Sequence, residues 1–431
     1  MLVALLLLPA LPAAGQEAHL VRVARKVKQK KASAAPAVQR GQMELAQQMA
    51  RNAYALGLGL GPRQRVALMT RLLYTMRPEV MAADKKLWAE ELFGLAQRLP
   101  VGDAEEPDGA SKAAIATAAA RVAVYDSDRA LELLDTLPGA GGRQADARTM
   151  AARLVFTVYL QHHGAAGAQT LLEHGRQWGE RGGFPYGASA AAVGKLLPDE
   201  AAADEYFRQV LGIFARGQEG VYGVSDFAGL LEQAVAMGAI SAESAETAGR
   251  AVVAQLRTIA ENAMLSEEQR GEMAEALNHV RLSAPIAYGQ ARREAPELLE
   301  FRRVTAAAAV ESAPVDAGLQ AAFHELAEAM RGRQSPDELR ATIGSGLRLV
   351  NARYRAGRCA GCLAPDAQSW ALVSLAAYAS PKTIASQLGG IEEPFWHAYF
   401  LAIAAQQVGQ PTRVADPTAR TVAGKEEAEP E

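Results

Sequence analysis

The stretch from Arg143 to His163, RQADARTMAARLVFTVYLQHH, restricts the possible folds of this chain more than any other part of the sequence. Its apolar residues recur at steps of three and four, a spacing that predicts one face of an α-helix. The predicted buried stripe consists of Ala147, Met150, Ala151, Leu154 and Val158.

The second half of this stretch, LVFTVYL, is apolar on nearly every side and taken alone could also form a buried strand. No breaker separates it from the charged residues before it, and Gly164 stands where a C-terminal cap glycine is expected. A helix that is apolar on more than one side must be covered on more than one side. Stacked helical hairpins provide that cover, because each helix contacts its own partner and the next pair. The sequence therefore predicts an all-α fold.

The composition agrees with helices packed on helices. Hydrophobic residues make up 49% of the chain and aromatic residues only 6%. Much of the apolar share is alanine, the strongest helix former. The formal net charge of -3 excludes a general electrostatic attraction to nucleic acid, so no nucleic-acid partner is expected.

The two ends of the chain differ from its middle. Residues 1–15, MLVALLLLPALPAAG, join a short leucine-rich core to small residues, which predicts a secretory signal peptide and a periplasmic or extracellular protein. Basic residues follow this core instead of preceding it, which leaves open an upstream start or a retained anchor. The core is too short to span a bilayer comfortably, so no transmembrane span is expected after signal removal.

Two further segments are predicted to stay outside the folded region. Residues 16–40 are predicted to form a basic linker containing Ala and Pro, with contact to an anionic surface such as lipid headgroups as the alternative. The acidic tail, residues 409–431, has too few apolar groups to pack and is predicted to be disordered.

Residues 41–408 are predicted to form one helical repeat region, because helical patterns follow one another there with short interruptions. Several patterns include specific predictions about caps and buried faces. Asp126 or Ser127 can cap a helix, and Ser266 with Gln269 fits a capping box. One predicted buried face consists of Leu87, Trp88, Leu92 and Leu95.

The segment from Tyr125 to Pro138, YDSDRALELLDTLP, resembles the second half of a tetratricopeptide-type hairpin, in which alanine allows close helix crossing and proline ends the unit. The pattern returns loosely in LLPDEAAADEYFRQVLGIFA and GAISAESAETAGRAVVAQL. No strict period joins these segments. The resemblance therefore implies stacked helical hairpins that form an irregular α-solenoid.

Cys359 and Cys362, in the sequence CAGC, are the only two cysteines. In an exported protein such a close pair predicts a small structural disulfide at the junction between two helices. The alternative is a redox dithiol, although that chemistry usually occurs on the strand-to-helix turn of a thioredoxin-like sheet. Haem attachment requires a histidine where Leu363 stands, and zinc would need two further ligands.

Histidines give no convincing metal site. The segment from His324 to Glu328, HELAE, resembles the helix motif of zinc proteases, but Glu328 replaces the second histidine, which favours an ordinary amphipathic helix. His162, His163 and His174 could converge if their helices are neighbours, yet their spacing matches no standard ligand set. No metal, cofactor or catalytic residue is predicted.

Two loops rich in glycine and aromatic residues are candidates for partner binding. GERGGFPYG contains Phe184 and Tyr186, and GQEGVYGVSDF contains Tyr222 and Phe227. Aromatic rings offer a large rigid contact area, which predicts a recognition edge. The alternative is that the rings cover the ends of neighbouring helices.

These observations predict an exported α-solenoid that acts as an interaction scaffold for another protein of the cell envelope. An alternative from a different class is an envelope thiol-disulfide redox factor, or another enzyme, that uses Cys359 and Cys362. A third is a soluble carrier with an apolar channel between helix layers.

Overall fold

A computed structural model describes residues 37–75, 77, 79–100, 110–137, 147–179, 183–217, 219–262, 264–300, 316–332, 335–355 and 362–409. Every regular element in these ranges is a helix, which confirms the all-α prediction. The predicted signal peptide, the linker up to residue 36 and the tail from residue 410 lie outside the described residues.

The helices are, in chain order, α1 (Ala37–Gly57), α2 (Pro62–Tyr74), α3 (Ala82–Ala96), α4 (Ala110–Val122), α5 (Ser127–Asp135), α6 (Ala147–His163), α7 (Ala168–Gly179), α8 (Tyr186–Leu196), α9 (Glu200–Arg216), α10 (Val221–Ala236), α11 (Ala242–Asn262), α12 (Glu267–Ser283), α13 (Pro285–Glu294), α14 (Ala317–Arg331), α15 (Pro336–Arg353), α16 (Ala367–Ala379), α17 (Pro381–Gln387) and α18 (Pro394–Gly409). Short 3-10 helices occupy Gly164–Gly167, Pro296–Glu300 and Leu388–Gly390. Helix α1 begins at Ala37, within the last residues of the predicted linker.

The chain forms two compact units. Unit 1 combines both ends of the chain, Met1–Ala89 and Ser312–Glu431, and unit 2 is the continuous stretch Glu90–Glu311. The division falls inside α3.

Unit 2 is built from two rows of helices. In one row, α4, α6, α8, α10 and α12 contact one another in that order, and in the other α5, α7, α9, α11 and α13 do the same. Helices of the two rows also pack on one another, so each hairpin covers the next. This is the arrangement of stacked hairpins that an α-solenoid requires.

Local capping explains where several of these helices begin. The Asp126 carboxylate accepts a hydrogen bond from the Arg129 amide at 3.1 Å and caps α5. Ser266 and Gln269 form the predicted capping box at the start of α12. These caps satisfy backbone N–H groups that have no partner inside the helix.

Helix α6 is helical throughout the LVFTVYL segment, as predicted, and Val155 and Phe156 are 0% exposed. The predicted stripe is only partly right, because Met150 is 38% exposed. Leu87 on α3 is likewise exposed, whereas Trp88, Leu92 and Leu95 are buried as predicted.

Unit 1 brings helices from both ends of the chain into one row, in which α14, α16, α18 and α1 contact one another in that order. Helix α18 is the centre of this unit, because 13 of its 16 residues are buried. Helix α2 also packs on α18. Within the described part of the chain, none of the helices has both the length and the apolar character that a membrane crossing requires.

Two helical glycines should respond oppositely to alanine. A Cβ added at Gly249 in α11 would lie 2.4 Å from the Ala284 Cβ and 3.0 Å from the Ala287 Cβ, and neither methyl can rotate away. We expect Gly249→Ala to lower the free energy of unfolding by roughly 1–3 kcal/mol, because α11 must move away from the start of α13.

Gly229 in α10 is the matched control, because a Cβ there meets no atom within 4 Å. We expect Gly229→Ala to raise the free energy of unfolding by about 0.4–1 kcal/mol, through a less flexible unfolded chain. Urea unfolding followed by far-ultraviolet circular dichroism measures both changes. Equal effects of the same sign would contradict the close approach at Gly249.

Candidate functional site

The aromatic rings predicted to form a recognition edge are mostly buried in unit 2. Phe184, Tyr186 and Phe227 are 6%, 1% and 0% exposed. The Phe227 ring stacks on Phe214 with 3.9 Å between ring centroids, and Tyr186 meets both rings edge-on. The prediction is therefore corrected for these three residues, because buried rings offer no surface to a partner. They fill the space between helices, which was the alternative interpretation.

Two of the aromatic residues in these glycine-rich segments lie at the starts of helices. Tyr186 begins α8 and Tyr222 lies in the first turn of α10, so both are helical where a loop was predicted. Gly175 allows the Phe184 ring to approach α7, because a Cβ there would be 2.7 Å from the Phe184 Cε2 atom. Tyr222 is half-buried, and its hydroxyl donates to Glu268 at 3.1 Å.

A polar network holds the connection between α9 and α10. The Tyr186 hydroxyl donates to the Glu219 carboxylate at 2.6 Å, and the Glu219 amide donates to Gln255 at 3.3 Å. The Gln255 amide nitrogen donates to the Phe214 carbonyl at 2.7 Å. Burial, and then the Glu219 charge, raise the pKa of Tyr186, so its hydroxyl acts as a donor. This network is structural.

The three histidines of α6 and α7 each contact a different residue of α5. His162 Nδ1 is 3.2 Å from the Ser127 hydroxyl, and His163 Nε2 is 3.6 Å from an Asp128 oxygen. His174 Nδ1 is 2.9 Å from Asp135 Oδ1. The described residues contain no group of three or more side chains that could hold a metal ion.

His324 is exposed on α14. The buried face of that helix consists of Leu319, Ala322, Leu326 and Ala329. This is the ordinary amphipathic pattern that was favoured over a zinc motif.

Cys362 is half-buried just before α16, whereas Cys359 lies outside the described residues. The disulfide and its redox alternative both stay predictions. Arg353, at the end of α15, forms ion pairs with two aspartates. Its side chain is 2.8 Å from both the Asp316 and the Asp366 carboxylates. These aspartates cap α14 and α16.

The Asp366 carboxylate also accepts a hydrogen bond from the Tyr354 hydroxyl at 2.5 Å. Burial opposes ionisation of Asp366, but hydrogen bonds from Tyr354 and Ser369 and the Arg353 charge outweigh it and lower the pKa of Asp366. Burial and the bond to Asp366 raise the pKa of Tyr354 to about 12. At neutral pH the cluster therefore contains an ionised Asp366 and a neutral Tyr354, and the hydrogen bond between them suits a structural role.

The candidate binding site is a cleft in unit 1 with a volume of about 480 Å³. Its walls come from α1, α14, α15, α16, α17 and α18. The lining residues are Gln42, Ala329, Met330, Leu339, Ala377, Tyr378, Ala379, Pro381, Gln407 and Val408. A volume of this order falls in the range of small-ligand and side-chain pockets.

The cleft combines apolar walls with a few polar groups. Tyr378 is 46% exposed, whereas Gln407 is 7% exposed. Among the described lining residues there is no carboxylate, basic group, imidazole or thiol. The arrangement therefore suits the binding of an apolar side chain, with hydrogen bonds from Gln42 and Tyr378. Sequence reasoning did not find this site, because its walls lie far apart along the chain.

Comparison with models of known protein families found no match to this chain, and comparisons with curated proteins and with solved structures found none either.

Proposed function

We propose that this protein is an exported interaction scaffold that binds a segment of another cell-envelope protein in the cleft of unit 1. The observation that carries the proposal is the cleft itself, which has a volume of about 480 Å³ and an exposed tyrosine in its lining. The stacked helical hairpins agree with it, because such folds commonly present extended binding surfaces.

The chemistry of the lining indicates what the partner segment presents. Met330, Leu339 and Val408 offer an apolar surface, and methionine adapts to side chains of different shape. Tyr378 can cover an inserted side chain with its ring and bind the neighbouring backbone through its hydroxyl. We therefore expect a partner segment with one or two large aliphatic or aromatic side chains and an accessible backbone.

Site-specific photo-crosslinking tests this proposal. A photoreactive amino acid replaces Tyr378 in the full chain, the protein is expressed in its own host, and adducts are mapped by mass spectrometry. We expect one stoichiometric adduct with a defined peptide of a partner. The purified partner segment should then bind the wild-type protein, and Tyr378→Ala should weaken that binding at least about tenfold, as expected of a central interface tyrosine.

Trp370 provides the matched control. It lies on the same helix, α16, and is 39% exposed, but it does not line the cleft. Trp370→Ala should leave the affinity for the partner segment unchanged, and a photoreactive group in place of Trp370 should not give the same adduct. Equal crosslinking from both positions, or unchanged affinity in Tyr378→Ala, would show that the cleft is not the binding site.

A further inference from the structure

Among the described residues, the buried basic side chains are Arg71, Lys85 and Arg148. Two of them bind main-chain carbonyl groups. Lys85 Nζ donates to the carbonyls of Thr75 and Arg77, just after α2. Arg148 donates to the carbonyls of Leu137 and Gly183 at 3.2 and 3.4 Å and lies over the Trp178 ring. Both cations therefore have a clear structural role.

Arg71 has a different environment. It is 6% exposed, and its Nη2 group donates to the neutral side-chain oxygen of Gln406 on α18. Its guanidinium carbon lies 5.6 Å from the centre of the Tyr74 ring. Its Nε–H group is buried and has no acceptor among the described residues. Neither a carboxylate nor a main-chain carbonyl of the described residues binds Arg71.

This arrangement leaves a positive charge without an anion among the described residues. Burial lowers the pKa of Arg71, with Tyr399 and Tyr74 acting in the opposite direction, but an arginine side chain stays protonated in proteins. A buried charge that lacks a counter-charge lowers stability. Gln406 lies in the last turn of α18, and the partial negative charge of that helix end offsets only part of a full positive charge.

The Arg71 side chain is buried, but two of the side chains around it reach the surface. Tyr74 and Gln406 are both half-buried, so a ligand could reach Arg71 by displacing the Gln406 side chain. On an arginine, Nε–H and one N–H of Nη2 point in the same direction and match the two oxygens of a carboxylate. A carboxylate that displaced the Gln406 oxygen would accept hydrogen bonds from both groups, and the Nε–H would gain its missing acceptor.

We propose that Arg71, together with Gln406 and Tyr74, forms a binding site for a carboxylate group of another molecule. The site lies outside the cleft lined by Tyr378, so it goes beyond the proposed scaffold function and can fail or succeed independently of it. A carboxylate fits better than a phosphate, because one guanidinium and neutral neighbours supply too few donors for a doubly charged group.

Stability provides the first test, on the full chain in urea. Arg71→Met should leave the midpoint of unfolding unchanged or raise it, because the variant removes a buried charge that no carboxylate of the described residues pairs with. Arg148→Met is the control and should lower the midpoint, because the buried Leu137 carbonyl and the half-buried Gly183 carbonyl lose their donor. A fall in Arg71→Met as large as that in Arg148→Met would overturn the proposal and make Arg71 a structural residue.

Binding provides the second test, with propionate as the probe and chloride at equal ionic strength as the reference. Propionate should shift the NMR signal of the Arg71 Nε–H group and raise the unfolding midpoint. Arg71→Met should abolish the rise, Arg148→Met should retain it, and Arg71→Lys should bind propionate at least about tenfold more weakly because it lacks the planar fork. A response to phosphate but not to propionate would overturn the carboxylate assignment.

The chain's own acidic segment, residues 425–431, offers the same chemical group. The carboxylate could therefore come from another molecule or from this segment. A full-length variant with Gln in place of Glu426, Glu427, Glu429 and Glu431 distinguishes these two sources. An unchanged Arg71 Nε–H signal in this variant supports a ligand from another molecule. A changed signal would overturn that part of the proposal and assign the carboxylate to the chain itself.

Discussion

Phe227→Ala is expected to lower the free energy of unfolding by about 3–5 kcal/mol. The Phe227 side chain is 0% exposed and lies parallel to Phe214, with 3.9 Å between centroids and an interplanar angle of 7°. Phe207 and Tyr186 approach the same ring, with centroids at 6.1 and 5.3 Å. These rings belong to α8, α9 and α10, so the substitution leaves a cavity where three helices meet. Urea unfolding followed by far-ultraviolet circular dichroism measures the change.

Tyr222→Ala is the matched control for Phe227→Ala, because Tyr222 is on the same helix but only half-buried. Tyr222→Ala should lower the free energy of unfolding clearly less, since it removes a partly exposed ring and its hydrogen bond to Glu268. If Phe227→Ala kept wild-type stability but weakened partner binding, the sequence-based prediction of a recognition edge would be right and the burial argument wrong.

Trp178→Ala is the second substitution with a large expected effect, also about 3–5 kcal/mol. Trp178 is 0% exposed, and its indole N–H donates to Asp135 Oδ1 at 2.7 Å. The ring packs on Phe156 with centroids 5.7 Å apart, and the Arg148 guanidinium carbon lies 5.2 Å from the ring centre. The substitution therefore removes a hydrogen bond, a cation–π contact and a large apolar volume in unit 2.

Trp178→Phe separates these contributions. It keeps much of the apolar volume and removes the indole N–H, so we expect the free energy of unfolding to fall by about 1.5–3 kcal/mol, the usual contribution of a hydrogen bond to a charged group. His174 still contacts Asp135 in this variant, at 2.9 Å. The same urea titration measures both variants. A Phe variant as unstable as the Ala variant would show that the hydrogen bond dominates the packing.

Local features of this protein could be predicted from the sequence because they depend on residues within about one helical turn of each other. The helix through LVFTVYL, the Asp126 cap and the capping box of Ser266 and Gln269 are of this kind. Spacing and capping act between near neighbours, which the sequence places in register. The all-α class follows from many such local predictions that agree with one another.

The orientation of helix faces was harder to predict. Met150 and Leu87 fit an apolar stripe, yet both are exposed. In helices that are apolar on several sides, spacing alone leaves several faces equivalent, and the neighbouring helices select one. The segment GERGGFPYG shows a related problem, because its Phe184 ring packs on Gly175, which lies outside the segment in α7.

The cleft and the Arg71 environment depend on contacts between residues that are far apart in the sequence. Gln42 and Gln407 line one cleft, and Arg71 contacts Gln406, because α1 and α2 pack on α18 at the opposite end of the chain. No local pattern encodes that pairing. The amino-acid order alone was sufficient for the helix through LVFTVYL, for the caps at Asp126 and Ser266 and for the all-α class, since these arise from short-range spacing. Tertiary packing selected which apolar faces are covered and brought Arg71 against Gln406, because both depend on long-range contacts between helices.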